Sequence, residues 1–271
     1  MSTAAGPGLR PGLCTVTLRE SSVPDVVEVA AAAGVTALEW AGDVHVPHGD
    51  HGAAERAAAA SAAAGLEVVS YGSYLFLDAS TDSHVDEVLD TAVTLGAPGV
   101  RVWCGYGIHP DASADERLVV TRAASLAASA AADRGLHLTV EFHGGTLTAT
   151  AVSARRLLDD VGSPVLFSAW QPPYWSPRSP DDELADLALI GPELSHVHVY
   201  DWDPDGTRHP LRVGADRWVG RLRAARAAGA AAVGAGVPRS ALIEFVPHDD
   251  PGSLPAEVSS LRTCLDRALS D

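Results

Sequence analysis

Short apolar runs alternate with longer stretches of Ala and Leu at helical spacing along nearly the whole chain. The apolar runs cover residues 13–18, 35–40, 66–71, 99–103, 136–141, 164–170, 194–199 and 240–245, and they read as strands. Between them the spacing predicts helices. The first starts at Pro24 and closes at Gly34, and the second ends at Gly65. Others run from about residue 83 to Gly96 and from 114 to 134 with Gly135 as the stop. The rest cover about 149–161, 181–189, a stretch reaching Gly229, and 254–269. Eight strands alternating with eight helices call for a parallel sheet. The turn after the first strand, Arg19-Glu20-Ser21-Ser22-Val23-Pro24, contains no glycine. An open doubly wound sheet would mark that turn with a glycine-rich phosphate loop. The prediction is therefore a closed (β/α)8 TIM barrel, α/β in class. It forms a single domain over residues 1–271, with 1–11 as a flexible segment ahead of the barrel.

Polar side chains interrupt this pattern where strands end. Residues 136–141 end on Glu141, 194–199 carry His196 and His198, and 240–245 carry Glu244. Side chains alternate across a strand, so His137, Thr139, Glu141 and His143 share one face, opposite Leu138, Val140 and Phe142. In a parallel barrel, reactive groups gather at the carboxyl ends of the strands. Two carboxylates and an imidazole suit a divalent cation. With oxygen donors in excess and no thiolate counted, Mn²⁺ or Mg²⁺ leads, ahead of Co²⁺ or Zn²⁺.

Composition narrows the partners. The 271 residues are close to the roughly 250 of a typical single barrel. The formal net charge of −16 leaves no basic face for releasing counterions from nucleic acid, so a small polar substrate is expected. Cys14, Cys104 and Cys264 follow no spacing that builds a disulfide scaffold or a thiolate zinc site. No signal peptide and no run long enough to span a bilayer is evident, and the expected location is the cytoplasm.

The strand ends at Glu141, His196-Val197-His198 and Glu244 resemble those of the xylose-isomerase-like barrel superfamily. This superfamily holds sugar and sugar-phosphate isomerases and epimerases, inosose dehydratases and endonuclease-four-like enzymes. The stretch Leu38-Glu39-Trp40-Ala41-Gly42-Asp43-Val44-His45-Val46-Pro47 looks like the strand-two end of its bacterial sugar phosphate isomerase/epimerase members. So do Val100-Arg101-Val102-Trp103 and Trp170-Gln171-Pro172-Pro173. The resemblance implies a divalent-metal-dependent isomerase or epimerase of carbohydrate metabolism, working on a sugar or polyol through an enediolate. It implies metal ligands at Glu141, His198 and Glu244, with Glu141 and Glu244 also exchanging the substrate proton. At strand six the family's Asp is absent, and Gln171 is the residue able to offer an oxygen there. The family is often dimeric or tetrameric, so a homo-oligomer is the expectation.

Other residues read as substrate contacts. Glu39 ends strand two. Trp40, Trp103 and Trp170 fall at strand ends, where a ring can cover the apolar face of a sugar. His143 follows Glu141 on the same face or begins the Gly144-Gly145 turn, and Arg208 lies in the loop after strand seven, able to hold an anion. His45 and His48 sit near Asp43 and Asp50 on a loop that reads as a solvated turn or a second metal site. Three rival readings share this sequence: a lyase or dehydratase of keto-sugars or inososes, a phosphodiesterase at damaged DNA, and a sugar-binding homologue impaired in catalysis.

Overall fold

The computed structural model describes residues 8–81 and 84–270. Eight parallel strands close on themselves. They are β1 (Arg10–Cys14), β2 (Ala37–Ala41), β3 (Glu67–Phe76), β4 (Gly99–Trp103), β5 (His137–Val140), β6 (Leu166–Trp170), β7 (Leu194–Val199) and, after a small hairpin, β10 (Ser240–Ile243). Their order around the barrel is β1-β10-β7-β6-β5-β4-β3-β2. The hairpin pairs β8 (Asp201–Trp202) antiparallel with β9 (Arg208–His209). Helices α1 (Val23–Ala33), α2 (His51–Ala63), α3 (Val85–Leu95), α4 (Ala114–Asp133), α5 (Ala151–Val161), α6 (Pro180–Ile190), α7 (Ala215–Ala227), α8 (Ala230–Gly234) and α9 (Leu254–Leu269) follow the strands. Among the described residues, no helix is long and apolar enough to cross a membrane.

Local chemistry sets these boundaries. Ser22 caps α1 through a reciprocal capping box with Asp25, and Gly34 closes it at φ 80, a conformation costly for any side chain. Ser113 and Glu116 cap α4 in the same way. A large apolar cluster fills the space between barrel and helices. It includes Trp40, Trp170, Trp218 and Leu138, each worth roughly 1.5–3 kcal/mol of burial. A second, smaller cluster of Cys14, Val16, Ala37, Ala41, Val69 and Leu242 lies on the inward face. The interior is therefore partly greasy, and its polar groups concentrate toward one end.

Three boundaries differ from expectation. The first strand runs from Arg10 to Cys14, and residues 15–18 form a 3-10 turn instead of continuing it. The turn aims two hydroxyls at neighbouring backbones: Ala41 N–H donates to Thr15 Oγ1 (2.9 Å), and Phe245 N–H donates to Thr17 Oγ1 (2.8 Å). Arg10 and Pro11 thus belong to the barrel, while residues 1–7 of the expected leading segment lie outside the described residues. Strand β3 continues past Tyr71 to Phe76, where it pairs with Trp103. Helix α3 begins at Val85; residue 83, where its start was expected, is not among those described.

Candidate functional site

Register decides which side chains share the interior. Cys14 pairs with Glu39, Gly72 with Arg101, Arg101 with Thr139, Thr139 with Phe167, and Leu242 with His198. Residues paired across parallel strands point to the same side. Glu39, Arg101, Glu141, Gln171, His196, His198, Glu244 and Cys14 therefore all face inward. The hydrogen-bonding distance of 3.1 Å between Thr139 and Ser195, on strands two apart, marks the same side. The register between β6 and β7 slips at Ser168/Trp170, which lets Ser195 and His196 both turn inward.

Arg101 organises one half of this mouth. Its Nε donates to Glu39 Oε1 at 2.8 Å, and its Nη1 donates to Glu141 Oε2. All three side chains are buried. The backbone makes room for them: a Cβ on Gly72 would sit 2.7 Å from Arg101 Nη2 and 2.9 Å from Glu39 Oε1. Burial alone would raise the Glu39 carboxyl, but Arg101, with help from His198, holds it at about 2. The two carboxylates in turn push the guanidinium well above its ordinary value.

The other half is built by β7, β10 and β1. His198 Nδ1 lies 3.1 Å from Glu244 Oε2, and its Nε2 lies 4.0 Å from Glu39 Oε1. Burial would depress the imidazole, yet these carboxylates raise it to about 9. His198 in turn lowers the Glu244 carboxyl. Cys14 donates toward Glu39 Oε1 at 3.6 Å. One ligand atom each from Cys14, His198 and Glu244 lies within 4.8 Å of the other two. Backbone strain sits next to Glu244: Phe245, His248 and Asp249 take φ of 62, 59 and 52. Thr17 secures this turn, accepting from Phe245 N–H and donating to the Ile243 carbonyl at 3.4 Å.

Other expected residues scatter. Gln171 is buried and inward, on the same face as Phe167, because the inward face is apolar lower in the barrel; its Nε2 donates to the Phe142 carbonyl at 2.7 Å. Trp40 and Trp170, expected at the substrate, lie elsewhere. Trp40 Nε1 donates to Ser61 of α2, and Trp170 stacks near Phe142, so both rings pack between barrel and helices. The strand phase that turns Glu39 inward necessarily turns its neighbour Trp40 outward. Trp103 does reach the rim, with ring centroids 4.3 Å from His143 and 5.9 Å from Tyr74. His143 both joins that arc and binds the Gly144 carbonyl (2.6 Å). Arg208 is engaged, paired with Asp249 and lying over Trp202 and Phe245.

His196 is buried with neither ring nitrogen partnered, and burial lowers it to about 3. His45 is buried against Trp40 and 3.0 Å from Thr15 Oγ1, whereas His48 joins His84 and Glu87 in an exposed cluster. Sequence reasoning allowed Arg101 at the mouth as an ion-pair partner for Glu141 or Glu244, and allowed Cys14 near it, but gave neither a part in the site. An arginine inside an apolar strand, at Val100-Arg101-Val102, was the available signal for the first.

Comparison with known proteins agrees with this architecture. AsbF of Bacillus anthracis, described as the probable 3-DHS dehydratase of petrobactin synthesis, is 19% identical with a TM-score of 0.75, over 94% of this chain and 99% of that one. A xylose isomerase-like TIM barrel protein from Mycobacterium smegmatis, solved in complex with magnesium, is 15% identical at TM-score 0.72, over 100% of both chains. D-Allulose 3-epimerase from Methylomonas sp. is 16% identical at TM-score 0.70, over 98% of this chain and 100% of that one. At such identities the likeness is one of fold. No curated protein matches the chain. The model of the xylose isomerase-like TIM barrel family matches residues 27–263, and the chain belongs to that family.

Proposed function

We propose that this protein moves a proton next to the carbonyl of a small sugar or polyol-derived ketone, epimerising or isomerising it through an enediolate. One observation carries the reading: three buried carboxylates, Glu39, Glu141 and Glu244, face the mouth of one barrel and are matched there by a single guanidinium and an imidazole. β10 and β5 are separated by β7 and β6 around the barrel, so Glu244 and Glu141 approach a bound substrate from different sides. Epimerisation needs that arrangement, since one group removes the proton and another returns it to the opposite face.

Glu244, held ionised by His198, is the group suited to take the proton. Glu141 returns one. Arg101 stays charged and offers a fixed positive field for the enediolate oxygen. Trp103 and His143 cover the substrate's apolar face and exclude water.

The donors also fit a divalent cation. Glu39 Oε2 and both ring nitrogens of His198 are buried without a completed hydrogen bond. Three carboxylates outnumber the one guanidinium, so a cation would relieve the surplus negative charge. Glu141, His198 and Glu244 would hold it, with Gln171 lending a carbonyl oxygen, and this oxygen-rich set favours Mn²⁺ or Mg²⁺. When bound it supplies Lewis acidity at the carbonyl and adjacent hydroxyl. The expected setting is the cytoplasm, with the chain as a homo-oligomer and neither nucleic acid nor membrane as partner.

The test is deuterium exchange. A panel of ketoses and inososes is incubated in heavy water with Mn²⁺ or Mg²⁺ and recovered for mass and NMR analysis. Exchange into one substrate is expected, falling on the order of 10²–10⁴-fold in Glu244→Gln. A product lighter by one water would identify a dehydratase using the same first step. No exchange into any member would count against the proposal.

A further inference from the structure

We propose that Cys14, in place of Glu141, joins His198 and Glu244 as a protein donor to the cation, so that the ion sits against β1, β10 and β7 and the site prefers zinc-class ions over Mg²⁺ or Mn²⁺. This inference rests on the cation-dependent reading above and refines it. The three donors arise from consecutive strands: β10 pairs with β1 on one side and with β7 on the other. Cys14 ends β1, Glu244 follows β10, and His198 lies near the end of β7. Their ligand atoms lie mutually within 4.8 Å, a spacing from which three donors can close on one ion.

A second, independent observation points to a ligand. His198 is 1% exposed, and although its Nδ1 stands 3.1 Å from Glu244 Oε2, neither ring nitrogen completes a directed hydrogen bond. Glu39 Oε2 is likewise buried and unpartnered beside them. Glu141, by contrast, is not in this cluster and is tied to Arg101.

A sulfur donor changes the ion that suits the site, because thiolate and imidazole together favour Zn²⁺ or Co²⁺, whereas oxygen donors alone favour Mg²⁺ or Mn²⁺. On binding, the Cys14 S–H bond breaks, its proton leaves to solvent, and the sulfur electron pair forms the bond to the ion.

Cobalt is the probe. Titration of the metal-free full-length protein with Co²⁺ should give visible d–d bands together with a near-ultraviolet thiolate-to-cobalt charge-transfer band. Cys14→Ser should lose the charge-transfer band, and its preference for Co²⁺ over Mn²⁺ should fall on the order of 10–100-fold. The double variant Cys104→Ser/Cys264→Ser should keep the band, which assigns it to Cys14 even if Cys14→Ser fails to fold. Cobalt bound with d–d bands but no charge-transfer band would overturn the Cys14 assignment and leave the cation-dependent reading standing. Failure of Co²⁺, Zn²⁺, Mn²⁺ and Mg²⁺ all to bind would overturn both.

Discussion

The two halves of the barrel mouth bury similar acidic groups and balance them by different means. On the β2–β4–β5 side, Glu39 and Glu141 share the guanidinium of Arg101. On the β7–β10–β1 side, Glu244 faces the imidazole of His198, which can gain and lose a proton, and the thiol of Cys14, which burial and the neighbouring carboxylates hold protonated. A guanidinium keeps its charge at any accessible pH, so the first half is a fixed frame. An imidazole gives up its proton to base or to a metal, so the second half is exchangeable. One side of the site is organised to hold its charge, and the other can gain or lose a proton.

Removing the fixed charge should produce the largest effect. Arg101→Met leaves Glu39 and Glu141 buried without a cation, and a loss of roughly 3–5 kcal/mol is expected in urea unfolding. If Arg101→Met is as stable as the parent, the ion pairs contribute nothing, and the contrast between the halves disappears.

The exchangeable half should show itself in pH dependence of the metal-free protein. His198 titrates at about 9 in the fold, against about 6.5 when unfolded. Its contribution is fully present below pH 6.5 and is lost as pH rises through about 9, on the order of 3 kcal/mol in all. His196 has the opposite sign. Its folded value of about 3 means the unfolded chain binds the proton first, so stability declines as pH falls below 6.5 toward 3. Thermal melting against pH should therefore peak near 6.5. His198→Asn should flatten the alkaline limb alone, and His196→Asn the acidic limb; a flat profile in the parent would contradict both assignments.

The smallest effect concerns the strained turn behind Glu244. Thr17→Val removes the acceptor for Phe245 N–H and should cost about 1–2 kcal/mol in chemical unfolding. It should also weaken cation binding, measured by calorimetry, because Glu244 loses its brace. An unchanged affinity would mean that the turn holds Glu244 without Thr17.

Strands β4 and β7 match the sequence reading residue for residue, because each is an apolar run bounded by a glycine turn or a polar step. β1 was misplaced because the hydroxyls of Thr15 and Thr17 pass as strand residues, while their actual partners, Ala41 and Phe245, lie far along the chain. The inward facing of Glu141, His198 and Glu244 was legible from alternation alone. That of Glu39 was not, and Trp40 was assigned to the mouth for want of its phase. Gln171 showed a related ambiguity, since Phe167 beneath it is apolar yet faces the interior.

By itself the sequence determined the alternation of strands and helices, the closed architecture it requires, and the acidic and imidazole groups at the strand ends. These are matters of periodicity, and periodicity is local. Only the tertiary structure decided which carboxylates Arg101 would claim, that Cys14 would stand beside His198 and Glu244, and that Trp40 and Trp170 would pack behind the barrel. Those outcomes depend on the register between strands that lie far apart in the chain, and closing the barrel is what sets that register.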